Sequence, residues 1–420
     1  MRDPRRIRAT YRIEAVEPER AAALLAGEQS SGTFVRIAGE TDALRQRHGA
    51  EVVSLEELGR TAPSLPSRTS PEHVTAARIV VEFPMETVGA DLATIQTTVA
   101  GNLFELADLF ACRLEALDLP DELIAAHAGP AFGVEGTRTV LGGATGAMVG
   151  TIVKPNVGLD ADGFRAVVRA LVGAGIDLVK DDELMTDPGY LPLATRVRIA
   201  GEEIDRASQT TGRRALYAAN ITGDVANLER RHDLAVAAGT GCVMLAIPVM
   251  GIPGLEHLRS FASVPIHGHR AGLSASMRHP GLGVSYRAWQ VLARLAGADH
   301  LHASGLGSKF SERDDEVVDS IRALQTPLGS TAGPVPTLSS AQTVRSPHPT
   351  FAAIGNDDVL MLAGGGVIGH PDGPAAGVRS LRAAWAAAVA GEPLDDAGAR
   401  LAAVGDTTLA RALGTFGAAA

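Results

Sequence analysis

The segment Gly173–Glu183, GAGIDLVKDDE, places a lysine beside two carboxylates that can face the same way. Side chains alternate along a strand, so Lys180 and Asp182 point in one direction and Glu183 can join them where the strand ends. Mg²⁺ prefers such oxygen ligands. A protonated lysine between them would repel the metal, whereas a lysine carbamylated by carbon dioxide would supply an anionic oxygen. A salt-bridged lysine at a strand end is the alternative interpretation.

Two further lysines stand in motifs that could contact an anionic substrate. Lys154, in TIVKPNVGL, could hold an enolate oxygen or transfer a proton if its neighbours tune its pKa. Lys309 lies in the glycine-rich stretch HLHASGLGSKF, and such a loop could close over a substrate. An exposed strand-end lysine is the alternative for Lys154.

Histidine, arginine and glycine motifs add candidate ligands for a metal or an anion. The H-x-H spacing of His267 and His269 puts both rings on one face, so zinc must be considered. Arg270 beside them instead favours phosphate or carboxylate. The run Gly364–Gly366 offers backbone N–H groups of the kind that bind phosphate, with a plain turn as the alternative.

These motifs follow short apolar runs that alternate with amphipathic stretches from Met148 onward. Eight such runs predict a (β/α)8 barrel, and polar residues after most of them would meet at its C-terminal mouth. A doubly wound open sheet is the alternative. The runs are Met148–Val153, Ile176–Val179, Ala215–Ala219, Cys242–Ile247, Val264–Ile266, Ala298–Leu301, Pro334–Leu338 and Val359–Ala363.

The region before the barrel has an α+β pattern, which predicts two domains, 1–125 and 126–420, joined through Leu119–Phe132. A turn-rich loop is expected over Thr61–Pro71, and Asp160 is the expected N-cap of a helix that reaches Gly173. The strand-like stretches of the first domain are Tyr11–Glu17, Thr33–Ile37 and Arg78–Glu82, and its helical stretches are Pro18–Ala26 and Leu92–Leu106.

Composition narrows the class of protein. The 420 residues carry a net charge of −10, which disfavours nucleic-acid binding and binding to an anionic membrane surface. Two cysteines, Cys112 and Cys242, cannot form a disulfide framework or a thiolate zinc site, and they suit a reducing compartment. The N-terminus does not have the pattern of a signal peptide, and no apolar run is long enough to span a membrane. We expect a cytoplasmic protein.

Taken together, the motifs resemble RuBisCO, and in particular the RuBisCO-like proteins of form IV. The resemblance implies an N-terminal ferredoxin-like α+β domain followed by a (β/α)8 barrel. It covers nearly the whole chain in order: GEQSSGTF at 27–34, GNLFEL at 101–106, GTIVKPNVGL at 150–159, GIDLVKDDE at 175–183, HGHRA at 267–271, GADHLHASGLGSK at 297–309 and LAGGGVIGHP at 362–371.

The same resemblance implies a role for each matching residue. The N-terminal domain would complete the barrel of a neighbouring subunit, in a homodimer or a multiple of dimers. The implied magnesium ligands are carbamylated Lys180, Asp182 and Glu183. The implied catalytic residues are Lys154, Lys180, His269, Lys309, Asn102 and Glu28. Arg270, His302 and Ser339 match one phosphate-binding group, and Thr33, Gly364 and Gly365 match parts of the other.

Several positions depart from the carboxylase pattern, which disfavours carboxylation of ribulose bisphosphate. Asn156 replaces a lysine, Phe34 a tryptophan, Leu273 a histidine and Ala363 a phenylalanine, and Ser339-Ser340-Ala341 replaces Ser-Gly-Gly.

The retained residues imply chemistry through an enediolate, stabilised by magnesium and Lys154. We expect decarboxylation of a phosphorylated 3-oxo acid, such as 3-oxo-isoapionate 4-phosphate, in carbohydrate catabolism. The methionine-salvage enolase type would carry a lysine in place of Asn102, so an enolase or isomerase of a methylthio-sugar phosphate is the alternative. A non-catalytic sensor or scaffold is a further alternative, although it has no need of these residues.

Overall fold

The computed structural model describes residues 5–32 and 37–417, which form two compact units. The first unit runs to Ala128 and includes Gly272–Ala296 and Leu328–Thr331, while the second holds the other described residues. The sequence predicts two continuous domains, 1–125 and 126–420, and therefore does not place these two later segments in the first unit. The additional segments carry an edge strand and two helices that the sequence pattern does not assign to the first unit.

The first unit is a five-stranded sheet with helices, in the strand order β10-β4-β1-β3-β2. All neighbouring strands pair antiparallel except β10 and β4, which are parallel. Its elements are β1 (Arg6–Ala15), α1 (Pro18–Glu28), α2 (Asp42–His48), β2 (Glu51–Thr61), β3 (Val74–Pro84), α3 (Met85–Val88), α4 (Leu92–Ala100), the 3-10 helix Asn102–Glu105, β4 (Ala111–Asp118), α5 (Asp121–Ala125), α11 (Ser274–Met277), β10 (Leu282–Val284) and α12 (Tyr286–Leu295).

Alternation of buried and less buried side chains explains β1, whose Ile7, Ala9, Tyr11 and Ile13 face the core. Two of the predicted strands lie within or overlap β1 and β3. The third, Thr33–Ile37, falls mainly on residues 33–36, which lie outside the described residues. The pattern missed β2, a mostly exposed edge strand, and it missed β4 and β10.

Eight parallel strands of the second unit close into a barrel in the order β11-β12-β13-β5-β6-β7-β8-β9. Each overlaps one of the eight predicted apolar runs, although β9 shares only Ile266 with its run, so the barrel prediction is confirmed. The strands are β5 (Met148–Ile152), β6 (Leu178–Lys180), β7 (Leu216–Asn220), β8 (Gly241–Ala246), β9 (Ile266–His269), β11 (His300–His302), β12 (Val335–Leu338) and β13 (Leu360–Leu362).

Helices surround these strands, and α7 begins as the sequence predicts, because the Asp160 side chain accepts a hydrogen bond from the Gly163 N–H. The helices of the second unit are α6 (Gly133–Val140), α7 (Ala161–Gly173), α8 (Leu193–Thr211), the 3-10 helix Val225–Asn227, α9 (Leu228–Ala237), α10 (Ile247–Phe261), α13 (Asp314–Gln325), α14 (Pro347–Ile354), α15 (Gly364–Ile368), α16 (Pro374–Ala390), α17 (Leu394–Ala403) and α18 (Thr408–Thr415).

Apolar side chains from the barrel strands form a buried cluster, as expected for parallel strands that are covered on both faces. Met148, Leu178, Leu216, Met244 and Leu360 belong to one buried cluster. In the described part of the chain, every helix is too short or too polar to cross a lipid bilayer.

A glycine sets the close approach of α8 to the end of α9. A Cβ atom on Gly201 would lie 1.8 Å from the backbone oxygen of Ala238, so Gly201→Ala must push the helices apart. We predict that it lowers the free energy of unfolding by about 1–3 kcal/mol, measured by urea denaturation. Gly173→Ala, at the end of α7, is the matched control, because a Cβ there meets nothing within 4 Å. Equal effects of the two substitutions would contradict the packing argument.

Candidate active site

Lys180 is the last residue of β6, and its side chain is only 2% exposed. Its Nζ donates a hydrogen bond of 2.9 Å to the backbone oxygen of Asp181 and lies 3.6 Å from Glu183 Oε2. Burial lowers the pKa of this amine, although the carboxylates of Glu183 and Asp182 oppose the shift. Lys180 therefore loses its proton more readily than an exposed lysine does.

Asp182 and Glu183 connect Lys180 to side chains from two other strands. Lys154, which follows β5, donates a hydrogen bond of 3.1 Å from Nζ to Asp182 Oδ2. His269, at the end of β9, places Nε2 3.6 Å from Glu183 Oε2. The structure thus brings together five of the predicted site residues, which we call the lysine–carboxylate cluster: Lys154, Lys180, Asp182, Glu183 and His269. The roles that the sequence assigns to these residues stay predictions.

His269 is neutral in this cluster. Burial is the main cause that lowers the pKa of its imidazole well below the ordinary value, and the charges of Lys180 and Arg270 add to the shift. The approach of His269 to Glu183 is therefore a contact with a neutral ring that can donate or accept a proton, not an ion pair.

The cluster offers two carboxylates, the His269 imidazole and the amine of Lys180 as possible donors to a metal ion. Among residues 5–32 and 37–417, no group of three or more His, Cys, Asp or Glu side chains is placed to hold a metal ion. A third anionic oxygen beside Asp182 and Glu183 would have to come from Lys180, and carbamylation of the amine would supply it. The rings of His267 and His269 do not form such a group either, because His267 is hydrogen-bonded to other histidines.

Asp181 points away from the cluster, as alternation along β6 predicts, and forms a buried ion pair with Arg196 of α8. Arg196 Nε lies 3.2 Å from Oδ1 and Nη2 lies 3.2 Å from Oδ2, so the pair is bidentate. The Tyr217 hydroxyl and the backbone N–H of Asn220 also donate to this carboxylate. Burial, followed by the charge of Asp181, raises the pKa of Tyr217, which keeps its hydroxyl protonated as a donor.

The remaining N–H groups of Arg196 hold the loop that follows the cluster. The side chain is fully buried, and each of these hydrogen bonds ends on a backbone carbonyl, so the loop and the end of β6 are fixed by one guanidinium. The accepting carbonyls are those of Met185, Thr186 and Leu191, at 2.9, 2.7 and 2.9 Å.

A chain of buried imidazoles crosses the inside of the barrel, and one carbonyl sets its hydrogen-bond direction. The Thr137 hydroxyl donates to the Gly133 oxygen at 2.5 Å, because a carbonyl can only accept. Its oxygen then accepts from His300 Nε2 at 3.0 Å. His267 Nδ1 in turn donates to His300 Nδ1 at 3.2 Å, and His302 Nε2 donates to His267 Nε2 at 2.7 Å.

These rings are neutral, so each carries a single N–H whose position follows from that order. Burial lowers the pKa of His300 to about 3, and burial is also the main cause that lowers the pKa values of His267 and His302 well below the ordinary value. The Ser339 hydroxyl, 3.3 Å from His302 Nδ1, is then the donor to His302. In this arrangement neither His302 nor Ser339 offers a hydrogen to a phosphate, and Arg270 is the stronger anion-binding candidate.

Arg270 and Lys309 stand on neighbouring loops. The Arg270 guanidinium pairs with Glu312, three residues after Lys309. Lys309 itself is exposed, and its ammonium lies 5.8 Å from the centre of the Phe310 ring. Among the described residues, Lys309 makes no hydrogen bond or ion pair with the lysine–carboxylate cluster, so the predicted catalytic contact requires this loop to move.

The segments after β12 and β13 carry three further predicted phosphate-binding residues, Ser339, Gly364 and Gly365. Ser340 and Ala341 occupy the left-handed region, with φ of 71° and 53°, although their side chains disfavour it. The backbone at these two positions thus keeps a conformation suited to glycine, which is the residue that the carboxylase pattern has there. Gly364 and Gly365 begin α15, and a Cβ on Gly365 would meet nothing within 4 Å, which leaves open space beside this backbone.

The first unit places two predicted residues in one cavity of its own. Glu28, the last residue of α1, and Asn102, the first of the 3-10 helix, line a space of about 500 Å³ together with Thr97 and Thr98. Thr33 lies outside the described residues.

Family models match both parts of the chain. The model of the ribulose bisphosphate carboxylase large chain, catalytic domain, matches residues 133–416, and the model of the N-terminal domain matches residues 2–123. The chain belongs to the RuBisCO large-chain family. The resemblance inferred from the motifs is therefore confirmed, as is the fold of an N-terminal domain followed by a barrel.

Three relatives within this family are informative. The chain is 45% identical to a 3-oxo-isoapionate-4-phosphate transcarboxylase/hydrolase of Xanthobacter autotrophicus, over 94% of this chain and 96% of that protein. It is 36% identical to a 3-oxo-isoapionate-4-phosphate decarboxylase of Rhizobium etli, over 93% of this chain and 94% of that protein. A crystal structure of a RuBisCO-like protein from Burkholderia fungorum is 39% identical and superposes with a TM-score of 0.91, covering 98% of this chain and 99% of that chain.

Sequence reasoning did not assign roles to Asp181, Arg196, Tyr217 or Glu312. Alternation along the strand already implied that Asp181 points away from Lys180. A carboxylate that is buried between the barrel strands and the surrounding helices needs a cation. That signal could have prompted a search for a buried arginine. No sequence signal pairs Glu312 with Arg270, because the two lie on loops after different strands.

The adjacent aspartates allow a matched test of these roles. Asp181→Asn leaves the charge of the buried Arg196 uncompensated, so we predict a loss of about 3–5 kcal/mol in the free energy of unfolding. Asp182→Asn should cost about 1 kcal/mol or less, because the Lys154 side chain is 38% exposed and can be hydrated instead. Urea denaturation of both variants measures the difference. An Asp182→Asn protein as unstable as Asp181→Asn would contradict this division of roles.

Proposed function

We propose that this protein is an enzyme that removes the carboxylate of 3-oxo-isoapionate 4-phosphate or a close analogue by decarboxylation. One observation carries the proposal: a buried lysine, Lys180, lies at the end of a barrel strand, 3.6 Å from Glu183 and within the electrostatic influence of Asp182. The names of two relatives, at 45% and 36% identity, supply the substrate.

In a 3-oxo acid, the bond to the carboxylate carbon breaks and its electron pair forms the carbon–carbon double bond of an enolate, while the carbonyl electrons move to oxygen. Carbon dioxide leaves, and protonation of the carbon gives a ketose phosphate. The protein must therefore stabilise negative charge on oxygen and then deliver one proton to carbon.

The lysine–carboxylate cluster has groups for both tasks. The Lys154 ammonium, partly exposed beside Asp182, can donate a hydrogen bond to the developing enolate oxygen. Neutral His269 and a carbamate oxygen on Lys180 are the candidates that move the proton. Lys309 would grip the departing carboxylate, and Arg270 would bind the phosphate.

The cluster also fits the predicted magnesium site. Deprotonated Lys180 can attack carbon dioxide with formation of an N–C bond and loss of a proton, which leaves an anionic carbamate. Asp182, Glu183 and this carbamate then carry three negative charges against one positive charge on Lys154, an excess that suits a divalent cation. Bound Mg²⁺ would supply positive charge that stabilises the enediolate oxygens.

A second candidate reaction is supported by the relative at 45% identity, which is named a transcarboxylase/hydrolase. In such a reaction the carboxyl carbon is transferred and stays in an organic product rather than leaving as carbon dioxide. The breaking of the bond to the carboxylate is common to both candidates.

Substrate labelled with ¹³C in its carboxylate distinguishes these reactions. We predict that the label appears as carbon dioxide and bicarbonate in amounts equal to the substrate consumed, followed by ¹³C NMR, and that Asp182→Asn loses most of this turnover. Label retained in an organic acid would favour the transcarboxylase/hydrolase reaction. Failure to consume the substrate would count against both and would favour an enolase, an isomerase or a non-catalytic role.

Lys309→Met tests the role of the Lys309 loop in decarboxylation. Because Lys309 would hold the carboxylate and not the enolate, the variant should lose most carbon dioxide release. It should still exchange the α-proton of the ketose phosphate product with deuterated water, as measured by ¹H NMR. Equal loss of both activities would contradict the assigned contact.

We also propose that the active site is shared in a homodimer, with Glu28, Thr33 and Asn102 supplied by the neighbouring subunit. Asn102→Ala and Lys180→Ala should each be inactive, and mixing them under subunit exchange should restore part of the activity, because some sites then receive two intact halves. Exchange demonstrated by mass spectrometry without any recovery would argue against a shared site.

A further inference from the structure

The loop that carries Lys309 is exposed around that lysine, but it buries one acidic side chain nearby. It runs over residues 303–313 between β11 and α13, and Lys309, Phe310 and Ser311 are open to solvent. The side chain of Glu312, the next residue, is only 8% exposed. A buried carboxylate next to these exposed residues needs a compensating charge.

That charge is Arg270, which follows β9, the strand next to β11 in the barrel. Its Nη2 lies 2.5 Å from Glu312 Oε2 and its Nη1 lies 3.3 Å from Oε1, so the carboxylate faces both terminal nitrogens. The Arg270 side chain is itself only 12% exposed. Paired guanidinium N–H groups of this kind match a carboxylate and a phosphate equally well.

We infer that Glu312 is a built-in competitor of the substrate's anionic group for Arg270, and that an anion which displaces it releases the Lys309 loop. The inference rests on the proposed function only in taking Arg270 as an anion-binding residue. Glu312 is thereby a positioning residue: it acts on the reaction through Arg270 and through the loop.

Two consequences follow from the geometry. The intramolecular carboxylate must be displaced before a phosphate gains the terminal nitrogens, so Glu312 weakens anion binding. The same displacement removes the one buried acidic anchor among residues 309–313, so bound anion should make the loop more mobile rather than less. A residue that merely supported the fold would produce neither effect.

Inorganic phosphate is the probe, used with the full-length protein and without turnover. Glu312→Gln should bind phosphate about tenfold more tightly than the wild type by titration calorimetry. Asp315→Asn is the matched control, because it removes the same charge close by, where Asp315 pairs with exposed Arg313. It should leave the affinity within about twofold of the wild type. In Arg270→Gln/Glu312→Gln the gain should disappear.

Limited trypsin digestion reports on the loop, which offers cleavage after Lys309 and Arg313. In the wild type, phosphate should accelerate cleavage at these sites, whereas Glu312→Gln should be cleaved rapidly with or without phosphate. Unchanged or weaker phosphate binding by Glu312→Gln, a gain equal to that of Asp315→Asn, or cleavage insensitive to phosphate in the wild type would overturn the inference. None of these readouts depends on the identity of the substrate, so they test this inference independently of the proposed reaction.

Discussion

The buried ion pair between Asp181 and Arg196 is the interaction on which the candidate site depends. A carboxylate and a guanidinium without solvent are tolerated only when their hydrogen bonds are satisfied, and here Tyr217, Asn220 and three loop carbonyls satisfy them. Because Asp181 is held on the outer side of β6, Lys180 and Asp182 must face the other way. The contact between Asp181 and Arg196 thus fixes the direction in which the side chains of Lys180 and Asp182 point.

Burial then determines the charges of the histidine side chains near Lys180. It keeps His267, His269, His300 and His302 neutral, so the cluster holds two carboxylates, the Lys154 ammonium and an amine that gives up its proton readily. A carbamate on Lys180 would complete a set of oxygen ligands that no side chain of the described cluster completes alone.

Local pattern was sufficient for the barrel and insufficient for the first unit. Each barrel strand overlaps an apolar run, so the sequence pattern finds it, whereas β2 is exposed and β10 joins the sheet from a segment far along the chain. The orientation of Lys180 and Asp182 follows from strand alternation. The partners of Asp181 and Glu312 come from other elements, which no local pattern encodes. The left-handed backbone conformation of Ser340 and Ala341 could not be predicted for a different reason, because both residue types disfavour it.

The proposed chemistry depends most on Lys180 being an amine that carbon dioxide converts to a metal ligand. The direct measurement is ¹³C NMR of the protein in ¹³C-labelled bicarbonate, with and without Mg²⁺, compared with Lys180→Arg. We predict one carbamate carbon signal per chain that grows when Mg²⁺ is added to the wild type and is absent from Lys180→Arg. No signal in the wild type, or the same signal in Lys180→Arg, would contradict the central claim.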